Sequence, residues 1–286
     1  MSTPMQTIKE YQAYFKEELT ELFPATEIQC FFQYLLEHYT PLRPIDLVMN
    51  PTSVFTPEQL KHMQQALERL KKQEPVQHII GSTEFYGRSF KVTPATLIPR
   101  PETEELITWI IESVPAATEA SILDIGTGTG CIPITLKKEL PNTTVSAIDI
   151  SEQALQIAKE NAEKHAVDIN FIQKDILNSS TVEVADIIVS NPPYVRMLEK
   201  KEINDNVLHF EPHTALFVSD EDPLIFYRKI CELASQHLRP GGYLFFEINQ
   251  YLGAETLKLV TDFGFSNALL KKDIFENDRM IRAQWL

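Results

Sequence analysis

Short apolar runs that alternate with helical stretches constrain the fold of residues 101–286 more than any other feature. The runs are rich in aliphatic and β-branched residues and lie at 122–125, 145–149, 169–172, 186–189 and 243–248. Stretches with helical spacing separate most of them, at 129–140, 152–164 and 222–238. Nearly continuous apolar strands between helices are typical of a mainly parallel sheet covered on both faces. The pattern predicts an α/β domain, to which residues 268–274 and 280–286 add an antiparallel pair at one edge.

The first 100 residues have a different character. Apolar residues recur at helical spacing in residues 1–75, which predicts a small helical domain. Within it, the segment Thr56–Gln59 has the form of a capping box with proline at the first helical position. Residues 76–100 carry aromatic and β-branched residues around Gly87 and then several prolines, which predicts a hairpin linker to a domain at 101–286. Because the helical domain shows no catalytic constellation, we expect it to recognise a substrate or to serve as a scaffold.

Acidic residues outnumber basic ones along the chain, with 40 Asp and Glu against 26 Lys and Arg and a formal net charge of −14. Nearly all of this excess lies in residues 101–286, so we expect no direct partner among nucleic acids. No apolar run reaches the ~20 residues that span a bilayer, and Met1–Glu10 lacks signal-peptide features, so we expect no membrane partner. Cys30, Cys131 and Cys231 predict neither a disulfide framework nor a metal site. These features favour a reduced, cytoplasmic protein.

A glycine-rich loop connects the first strand of the predicted sheet to the following helix. Gly126, Gly128 and Gly130 alternate in it with Thr127 and Thr129. Glycine lets the backbone turn sharply and lie against a ligand without interference from a Cβ atom. No Gly-Lys-Ser/Thr sequence follows, which disfavours a nucleoside triphosphate loop. The spacing therefore predicts a loop that binds another kind of ligand.

An acidic residue, Asp149, ends the second predicted strand. A carboxylate in this place can accept hydrogen bonds from two vicinal ribose hydroxyls. Ser151 is better placed than Asp149 to cap the following helix, which favours the binding role. Loop and carboxylate together predict a nucleoside ligand, and both NAD and S-adenosylmethionine satisfy the pattern. Asp175, at the end of the third strand, is a further candidate for a place near an adenine.

The sequence Asn191-Pro192-Pro193-Tyr194 follows the fourth predicted strand and is expected to face the glycine loop, since ligands bind beyond the carboxyl ends of parallel strands. The Asn191 side-chain oxygen and the Pro192 carbonyl can accept both N–H bonds of an amide or exocyclic amino group. This localises the nitrogen lone pair for attack on an electrophilic methyl group. The prolines hold the two acceptors in place, and Tyr194 offers a flat face to a planar group. The motif predicts methyl transfer to nitrogen with no essential histidine.

These motifs together resemble those of the S-adenosylmethionine-dependent amino-methyltransferases, which act on adenine in DNA or on glutamine in protein. The choice between the two comes from the run Ile98-Pro-Arg-Pro-Glu-Thr-Glu104, preceded by Gln77-His-Ile-Ile-Gly81 and Phe85-Tyr-Gly87. This stretch is similar to the release-factor glutamine methyltransferases, and the similarity covers most of residues 20–286.

The resemblance implies a Rossmann-like S-adenosylmethionine-dependent methyltransferase domain with a small N-terminal helical domain. The implied activity is transfer of a methyl group to the side-chain amide nitrogen of the glutamine in the Gly-Gly-Gln motif of class 1 peptide chain release factors, with S-adenosylhomocysteine as product. The implied cofactor-binding residues are Gly126, Thr127, Gly128, Thr129, Gly130, Asp149, Ile176 and Asn191. The implied catalytic residues are Asn191, Pro192 and Tyr194, and with Pro193 they shape the pocket for the target glutamine.

Three further features concern the surroundings of the predicted site, and the first two follow from the resemblance. Ile176 replaces an aromatic residue found in some relatives, so we expect the adenine to rest against an aliphatic wall. Glu211-Pro212 is expected to belong to a loop near the cleft. Arg100 and Glu102 are expected either to line the cleft or to pair with each other.

Other functions remain open on the sequence alone. The sequence of residues 98–104 distinguishes a release-factor methyltransferase from an enzyme that performs the same chemistry on a ribosomal protein. A nucleic-acid adenine methyltransferase needs phosphate contacts and base extrusion, to which so acidic a domain is poorly suited. A nonenzymatic module that binds a nucleoside and a partner leaves the Asn-Pro-Pro-Tyr motif without a role.

Overall fold

The computed structural model describes residues 7–114 and 119–286. Residues 1–6, part of the N-terminal stretch that the sequence excludes as a signal peptide, lie outside the described residues, as do residues 115–118. The chain divides into two units, Met1–Gly81 with Asn204–Phe210 and Ser82–Ile203 with Glu211–Leu286. In the described ranges, no helix is both long enough and apolar enough to cross a membrane.

Apolar stripes at helical spacing build the first unit around one core. Its helices are α1 Ile8–Leu19, α2 Ala25–Tyr39, α3 Pro44–Met49, α4 Pro57–Leu70 and α5 Val76–Ile80. Thr56 accepts the backbone N–H of Gln59 at 3.2 Å, which confirms the predicted capping box at the start of α4. The predicted apolar positions of α2 and α4 are buried in the core, apart from Leu60, which is half-buried.

Residues 82–91 form the predicted hairpin, from β1 Ser82–Phe85 and β2 Arg88–Lys91. The two turn residues Tyr86 and Gly87 have φ angles of 49° and 68°, and positive φ at both positions matches the twist of the strands. Within the second unit, the Asn161 side chain fixes the end of the hairpin, accepting from the Lys91 N–H at 2.7 Å and donating to the Lys91 carbonyl at 3.0 Å.

A mixed sheet forms the centre of the second unit. The remaining strands are β3 Ser121–Ile125, β4 Thr144–Asp149, β5 Asn170–Gln173, β6 Ala185–Ser190, β7 Val195–Arg196, β8 Phe217–Val218, β9 Leu238–Glu247, β10 Ser266–Lys272 and β11 Asp278–Gln284. The central sheet has the order β10-β11-β9-β6-β3-β4-β5, and β7 pairs with β8 in a separate two-stranded sheet. From β9 to β5 all neighbours are parallel, and β11 runs antiparallel to both β9 and β10. The predicted parallel core and its antiparallel edge are both confirmed.

Helices cover both faces of this sheet. They are α6 Pro101–Ser113, α7 Cys131–Glu139, α8 Glu152–Lys164, α11 Ile225–His237 and α12 Gly253–Asp262. The segment between β7 and β8 forms a 3-10 helix at Met197–Glu202, α9 Asp205–Phe210 and α10 His213–Leu216. The helix α9 groups with the first unit. Adjacent strand residues contribute to opposite cores, as Phe245 packs in the core that contains α6 and α7 and Phe246 in the core that contains α11 and α12.

The strand order reverses between β3 and β6, which places a binding crevice at their carboxyl ends. From β3 the chain turns to β4 and β5 on one side, whereas β6 and β9 lie on the other. The loops after β3 and β6 therefore lead away from each other and leave a crevice between them. The glycine loop follows β3 and the Asn-Pro-Pro-Tyr sequence follows β6, so this topology brings together the two motifs that the sequence singled out.

Candidate active site

The glycine loop is held in a conformation that its glycines permit. Gly126, Gly128 and Gly130 have φ angles of +83°, +55° and +80°, in the left-handed region that side chains with a Cβ atom rarely adopt. At Gly130, which begins α7, a Cβ atom would lie 3.0 Å from Ile134 Cδ1 and 3.1 Å from Ala158 Cβ. The backbone N–H groups of Gly126 and Thr127 both donate to the Ile148 carbonyl, at 2.8 and 3.0 Å. These bonds fix the loop to the end of β4.

The Asp149 carboxylate ends β4 and contacts the same loop. It accepts the backbone N–H of Gly128 at 2.8 Å with one oxygen and that of Ser151 at 2.9 Å with the other. Each carboxylate oxygen can accept a second hydrogen bond. Burial raises the pKa of Asp149, although these backbone donors oppose the shift. Ser151 itself caps α8 by accepting the Ala154 N–H at 3.1 Å, as the sequence predicted.

Buried polar groups without partners surround the glycine loop. Asp124, the penultimate residue of β3, is fully buried, and neither of its carboxylate oxygens makes a hydrogen bond of normal geometry within the described residues. The hydroxyls of Thr127 and Thr129 are also buried and make no hydrogen bond of normal geometry within the described residues. Burial raises the pKa of Asp124 to about 7, with the nearby Thr127 hydroxyl opposing the shift.

The Asn-Pro-Pro-Tyr sequence leaves β6 beside the glycine loop. The Ser190 hydroxyl donates to the Ile125 carbonyl at 2.6 Å, which ties the ends of β3 and β6 together. The backbone oxygen of Asn191 lies 3.9 Å from the point where a Cβ atom of Gly126 would stand, so the two loops approach closely. The Asn191 side-chain amide donates to the Thr103 hydroxyl at 3.3 Å.

One cavity of about 600 Å³ contains most of the residues singled out from the sequence. Those that line it are Gly126, Thr127, Gly128, Thr129, Asp149, Ile176, Asn191, Pro192 and Pro193. Gly130 is adjacent to the lining as the first residue before α7. Tyr194 also lies next to the lining, and its hydroxyl donates to the buried Glu247 carboxylate at 3.1 Å. The size of the cavity is that of a typical small-molecule site.

Apolar side chains form one wall of this cavity. Ile176 is buried, and Leu177, Phe226 and Ile230 line the cavity with it. The sequence pointed to Ile176 but not to Phe226 and Ile230, because the helical spacing of α11 indicates a buried face without showing that part of it is open to a ligand. Contact of an adenine with Ile176 stays a prediction. Asp175 also lines the cavity, and its carboxylate accepts the Leu177 N–H at 3.0 Å and the Asn178 amide at 2.6 Å.

Arg100 lines the cavity but does not pair with Glu102, one of the two outcomes expected from the sequence. Its guanidinium contacts the buried Glu211 carboxylate at 2.5 Å, and the other Glu211 oxygen accepts the Ile98 N–H at 3.0 Å. Glu211 therefore connects the 98–100 segment to the loop that precedes α10. Pro212 in that loop lines the cavity. The expected position of Glu211-Pro212 near the cleft agrees with this arrangement.

Two buried groups that sequence analysis did not assign lie behind Asn191. Thr103 is in the first turn of α6, and Glu247 ends β9. The Thr103 hydroxyl donates to Glu247 at 2.6 Å, and burial raises the pKa of Glu247. Cys131, by contrast, is buried with its pKa raised to about 12, which fits a packing role and not that of a nucleophile. In the described part of the chain, no group of three or more His, Cys, Asp or Glu side chains is arranged to hold a metal ion.

Comparison with known proteins identifies the class of enzyme that this fold and site define. Residues 107–212 match the family model described as Methyltransferase small domain. A methyltransferase from Pyrococcus furiosus has a similar fold, with a TM-score of 0.50 and 16% identity over 80% of this chain and 98% of that one. A Thermus thermophilus 16S rRNA methyltransferase in complex with AdoMet and guanosine gives a TM-score of 0.51 and 19% identity, over 72% and 50% of the two chains. The fold and the family model together define a methyltransferase with a Rossmann-like domain.

Sequence relatives narrow this class to one family. Residues 10–81 match the model described as PrmC N-terminal domain. The release factor glutamine methyltransferase of Flavobacterium psychrophilum is 51% identical over 282 residues, which cover 97% of this chain and 99% of that one. Its counterpart from Bacteroides thetaiotaomicron is 42% identical over 273 residues, 95% and 98% of the two chains. The chain belongs to the release factor glutamine methyltransferase family, as its resemblance in sequence implied.

Proposed function

We propose that this enzyme transfers a methyl group from S-adenosylmethionine to the side-chain amide nitrogen of the glutamine in the Gly-Gly-Gln motif of class 1 peptide chain release factors. The observation that carries the proposal is the position of Asn191 and Pro192, which line the same cavity as the glycine loop and Asp149. Family membership supports the choice of glutamine as the methyl acceptor.

The residues around the glycine loop fit S-adenosylmethionine. Its ribose hydroxyls are suited to the free acceptor capacity of Asp149, which lines the cavity. The positive φ angles of the loop let the backbone lie against the ligand. We propose that Gly126–Gly130, Asp149 and Ile176 hold this cofactor, with the adenine against Ile176.

The methyl acceptor needs activation, because the lone pair of an amide nitrogen is delocalised. S-adenosylmethionine supplies the methyl group on a sulfonium sulfur, so the carbon–sulfur bond breaks as the carbon–nitrogen bond forms. We propose that Asn191 Oδ1 and the Pro192 carbonyl accept the two N–H bonds of the glutamine amide and hold its nitrogen lone pair toward the methyl group. The two prolines restrict the backbone that carries these acceptors. No strong base is required of the chain, since the nitrogen releases its proton to water after it has gained the methyl group.

A protein substrate suits the charge of the chain better than a nucleic acid does. The net charge of −14 repels phosphate groups, which a nucleic-acid methyltransferase must contact. A glutamine-bearing loop of a release factor needs no such contacts. Because release factors act on ribosomes, the proposal implies a cytoplasmic enzyme.

A role for the helical unit is part of the same proposal. Residues 1–75 are proposed as a substrate-recognition domain and residues 76–100 as a linker to the methyltransferase domain at 101–286. The described residues of this region bury an apolar core and include no buried carboxylate comparable to Glu247. A surface that contacts parts of the release factor outside the Gly-Gly-Gln tripeptide is therefore the function proposed for it.

A methyl-transfer assay with labelled S-adenosylmethionine tests the proposed function. The substrates are a class 1 release factor, the same factor with the Gly-Gly-Gln glutamine changed to alanine, a ribosomal protein fraction and duplex DNA. We expect label on the unchanged release factor alone. Equal labelling of the glutamine variant and the unchanged release factor would mean that another residue is modified. Labelling of DNA or of ribosomal protein, with none on the release factor, would overturn the proposal.

A further inference from the structure

A chain of buried hydrogen bonds lies behind the Asn191 side chain. Asn191 Nδ2 donates to Thr103 Oγ1 at 3.3 Å, and the Thr103 hydroxyl donates to Glu247 Oε2 at 2.6 Å. The Tyr194 hydroxyl donates to the other carboxylate oxygen, Glu247 Oε1, at 3.1 Å. Thr103 and Glu247 are 2% and 1% exposed, so water does not compete for these groups.

All three hydrogen bonds in this series point toward Glu247. A carboxylate has no proton to give, so Glu247 can only accept, and the Thr103 hydroxyl must turn its proton toward it. The 2.6 Å separation is within the range of a hydroxyl bound to an ionised carboxylate. Burial raises the pKa of Glu247, but the Thr103 and Tyr194 hydroxyls and the nearby positive charge of Arg279 oppose this shift and favour the ionised form. What Thr103 then offers to Asn191 is an oxygen lone pair. A lone pair attracts the amide NH2 group of Asn191 and repels its carbonyl oxygen.

The orientation of the Asn191 amide decides whether the site can work as proposed. An asparagine side chain presents a carbonyl oxygen on one side and an NH2 group on the other, and the two have nearly the same shape. The target glutamine presents N–H donors, so an inverted Asn191 would set donor against donor. Nothing in the Asn-Pro-Pro-Tyr sequence itself selects between the two orientations.

We propose that Thr103 and Glu247 are positioning residues that hold the Asn191 amide with its NH2 group toward Thr103 and leave Oδ1 free to accept from the methyl acceptor. Tyr194 contributes to this by fixing Glu247 with its hydroxyl. The inference rests on the proposed function for the identity of the methyl acceptor, whereas the orientation of Asn191 is a property of the enzyme by itself.

The kinetic test compares Thr103→Val, which keeps the shape of the side chain without its hydroxyl, with Thr103→Ser, which keeps the hydroxyl. With the release factor as substrate, Thr103→Val is expected to lower kcat about tenfold, by analogy with loss of a preorganised polar partner. Thr103→Ser is expected to restore kcat to within about threefold of the wild type. Glu247→Gln is expected to lower kcat as well, since its amide can accept from one hydroxyl and not from two. The Kd for S-adenosylmethionine is measured for each variant and is expected to stay close to the wild-type value. The Tm is expected to fall by a few degrees in Thr103→Val, because Glu247 loses a buried hydrogen-bond donor.

A double-mutant comparison separates positioning from simple packing. If Thr103 acts through Asn191, adding Thr103→Val to Asn191→Ala should produce no further loss of kcat. A purely structural role would raise the cofactor Kd in both backgrounds. The proposal fails if Thr103→Val retains the wild-type kcat or if Thr103→Ser does not restore it. It also fails if the losses of kcat caused by Thr103→Val and Asn191→Ala multiply in the double variant.

A spectroscopic measurement tests the hydrogen bond between Asn191 and Thr103 without measuring catalysis. In 15N-labelled wild-type enzyme, the Asn191 side-chain NH2 resonance is assigned by its disappearance in Asn191→Ala. One of its protons is expected to exchange slowly with solvent in the wild type and in Thr103→Ser, and rapidly in Thr103→Val. Rapid exchange in the wild type would refute the hydrogen bond to Thr103. If the wild type fails to label the release factor but shows slow exchange, the proposed function is wrong and the positioning of Asn191 still holds.

Discussion

Asn191 is the side chain on which the proposed chemistry depends most directly. Substitution Asn191→Ala removes an acceptor that lines the cavity and leaves the glycine loop and Asp149 in place. We expect kcat to fall by roughly 10²–10³, the usual effect of losing one preorganised polar partner of a transition state. The Kd for S-adenosylmethionine should stay within about threefold of the wild type. Calorimetric titration together with the methyl-transfer assay measures both, and a near-normal kcat would refute the proposed role.

Asp149 and Asp175 provide a matched pair of carboxylates in one cavity. Both line it, but Asp149 accepts from the glycine loop, whereas Asp175 accepts from its own following turn. Asp149→Ala is therefore expected to weaken S-adenosylmethionine binding roughly 10- to 100-fold, since it removes charged hydrogen bonds to the ligand and to Gly128. Asp175→Ala is expected to change the Kd by less than about threefold. Equal Kd values for the two variants in titration calorimetry would mean that the ribose is held elsewhere.

The buried Asp124 makes the stability of the ligand-free enzyme depend on pH. Its pKa is about 7 in the folded protein against an ordinary 3.8. Between these values the folded protein keeps a proton that the unfolded chain has released, so the contribution of Asp124 to stability falls as the pH rises through this interval. Asp124→Asn cannot ionise and should raise the Tm by roughly 3–8 °C at pH 8 and by less than about half as much at pH 5. Thermal melts of both proteins at the two pH values test this, and an equal difference at both would contradict it.

How far sequence predicts the site depends on how local each interaction is. The positions of the glycine loop, Asp149 and Asn191 follow from strand ends, which are local features that the parallel topology then brings together. The bond between Thr103 and Glu247 joins residues 144 apart in sequence. Neither residue type is unusual where it stands, so no local pattern indicates their contact. The ion pair of Arg100 with Glu211 was missed for the same reason.

Among helices and strands, those with strong local signals were predicted and those set by tertiary packing were not. The α4 helix carries its capping box and apolar stripe, and β3 is a short apolar run before glycine. The sequence pattern does not single out the α6 helix, which directly follows the proline-containing linker and has Pro101 as its first residue. Proline is favoured there because its missing N–H has no partner in a first turn. The α12 helix, Gly253–Asp262, was also missed.

The start of α7 depends on a glycine for steric as well as conformational reasons. Gly130 has φ of +80°, and a Cβ atom there would crowd Ile134 and Ala158. Gly128 has φ of +55°, and no atom lies within 4 Å of the point where its Cβ would stand, which makes it the matched control. Gly130→Ala is expected to lower the free energy of unfolding by about 2–4 kcal/mol, from backbone strain and overpacking together. Gly128→Ala should lower it by only about 1–2 kcal/mol. Urea unfolding of the ligand-free protein measures both, and equal losses would show that the crowding is relieved without cost.

The sheet topology explains why one fold can bring distant motifs to one cavity. The reversal of strand order between β3 and β6 opens a crevice between the glycine loop and the Asn-Pro-Pro-Tyr sequence. The sequence predicts this arrangement because parallel strands separated by helices have few allowed topologies. It does not predict that α9 groups with the N-terminal helices, because that grouping arises from contacts between segments far apart in the chain.

If the helical unit recognises the substrate, its amides should be protected from hydrogen exchange when the intact enzyme binds a release factor. Hydrogen exchange is measured by mass spectrometry on the full chain alone, with S-adenosylhomocysteine, and with S-adenosylhomocysteine plus a release factor. The nucleoside product should slow exchange around residues 126–129 and 149, since these line the cavity. The release factor should add protection within residues 7–81, because a partner that contacts this unit excludes water from its amides and suppresses local opening. Duplex DNA in place of the release factor should add none, given the net charge of −14. Protection by the release factor confined to the cavity would mean that the helical unit does not take part in recognition.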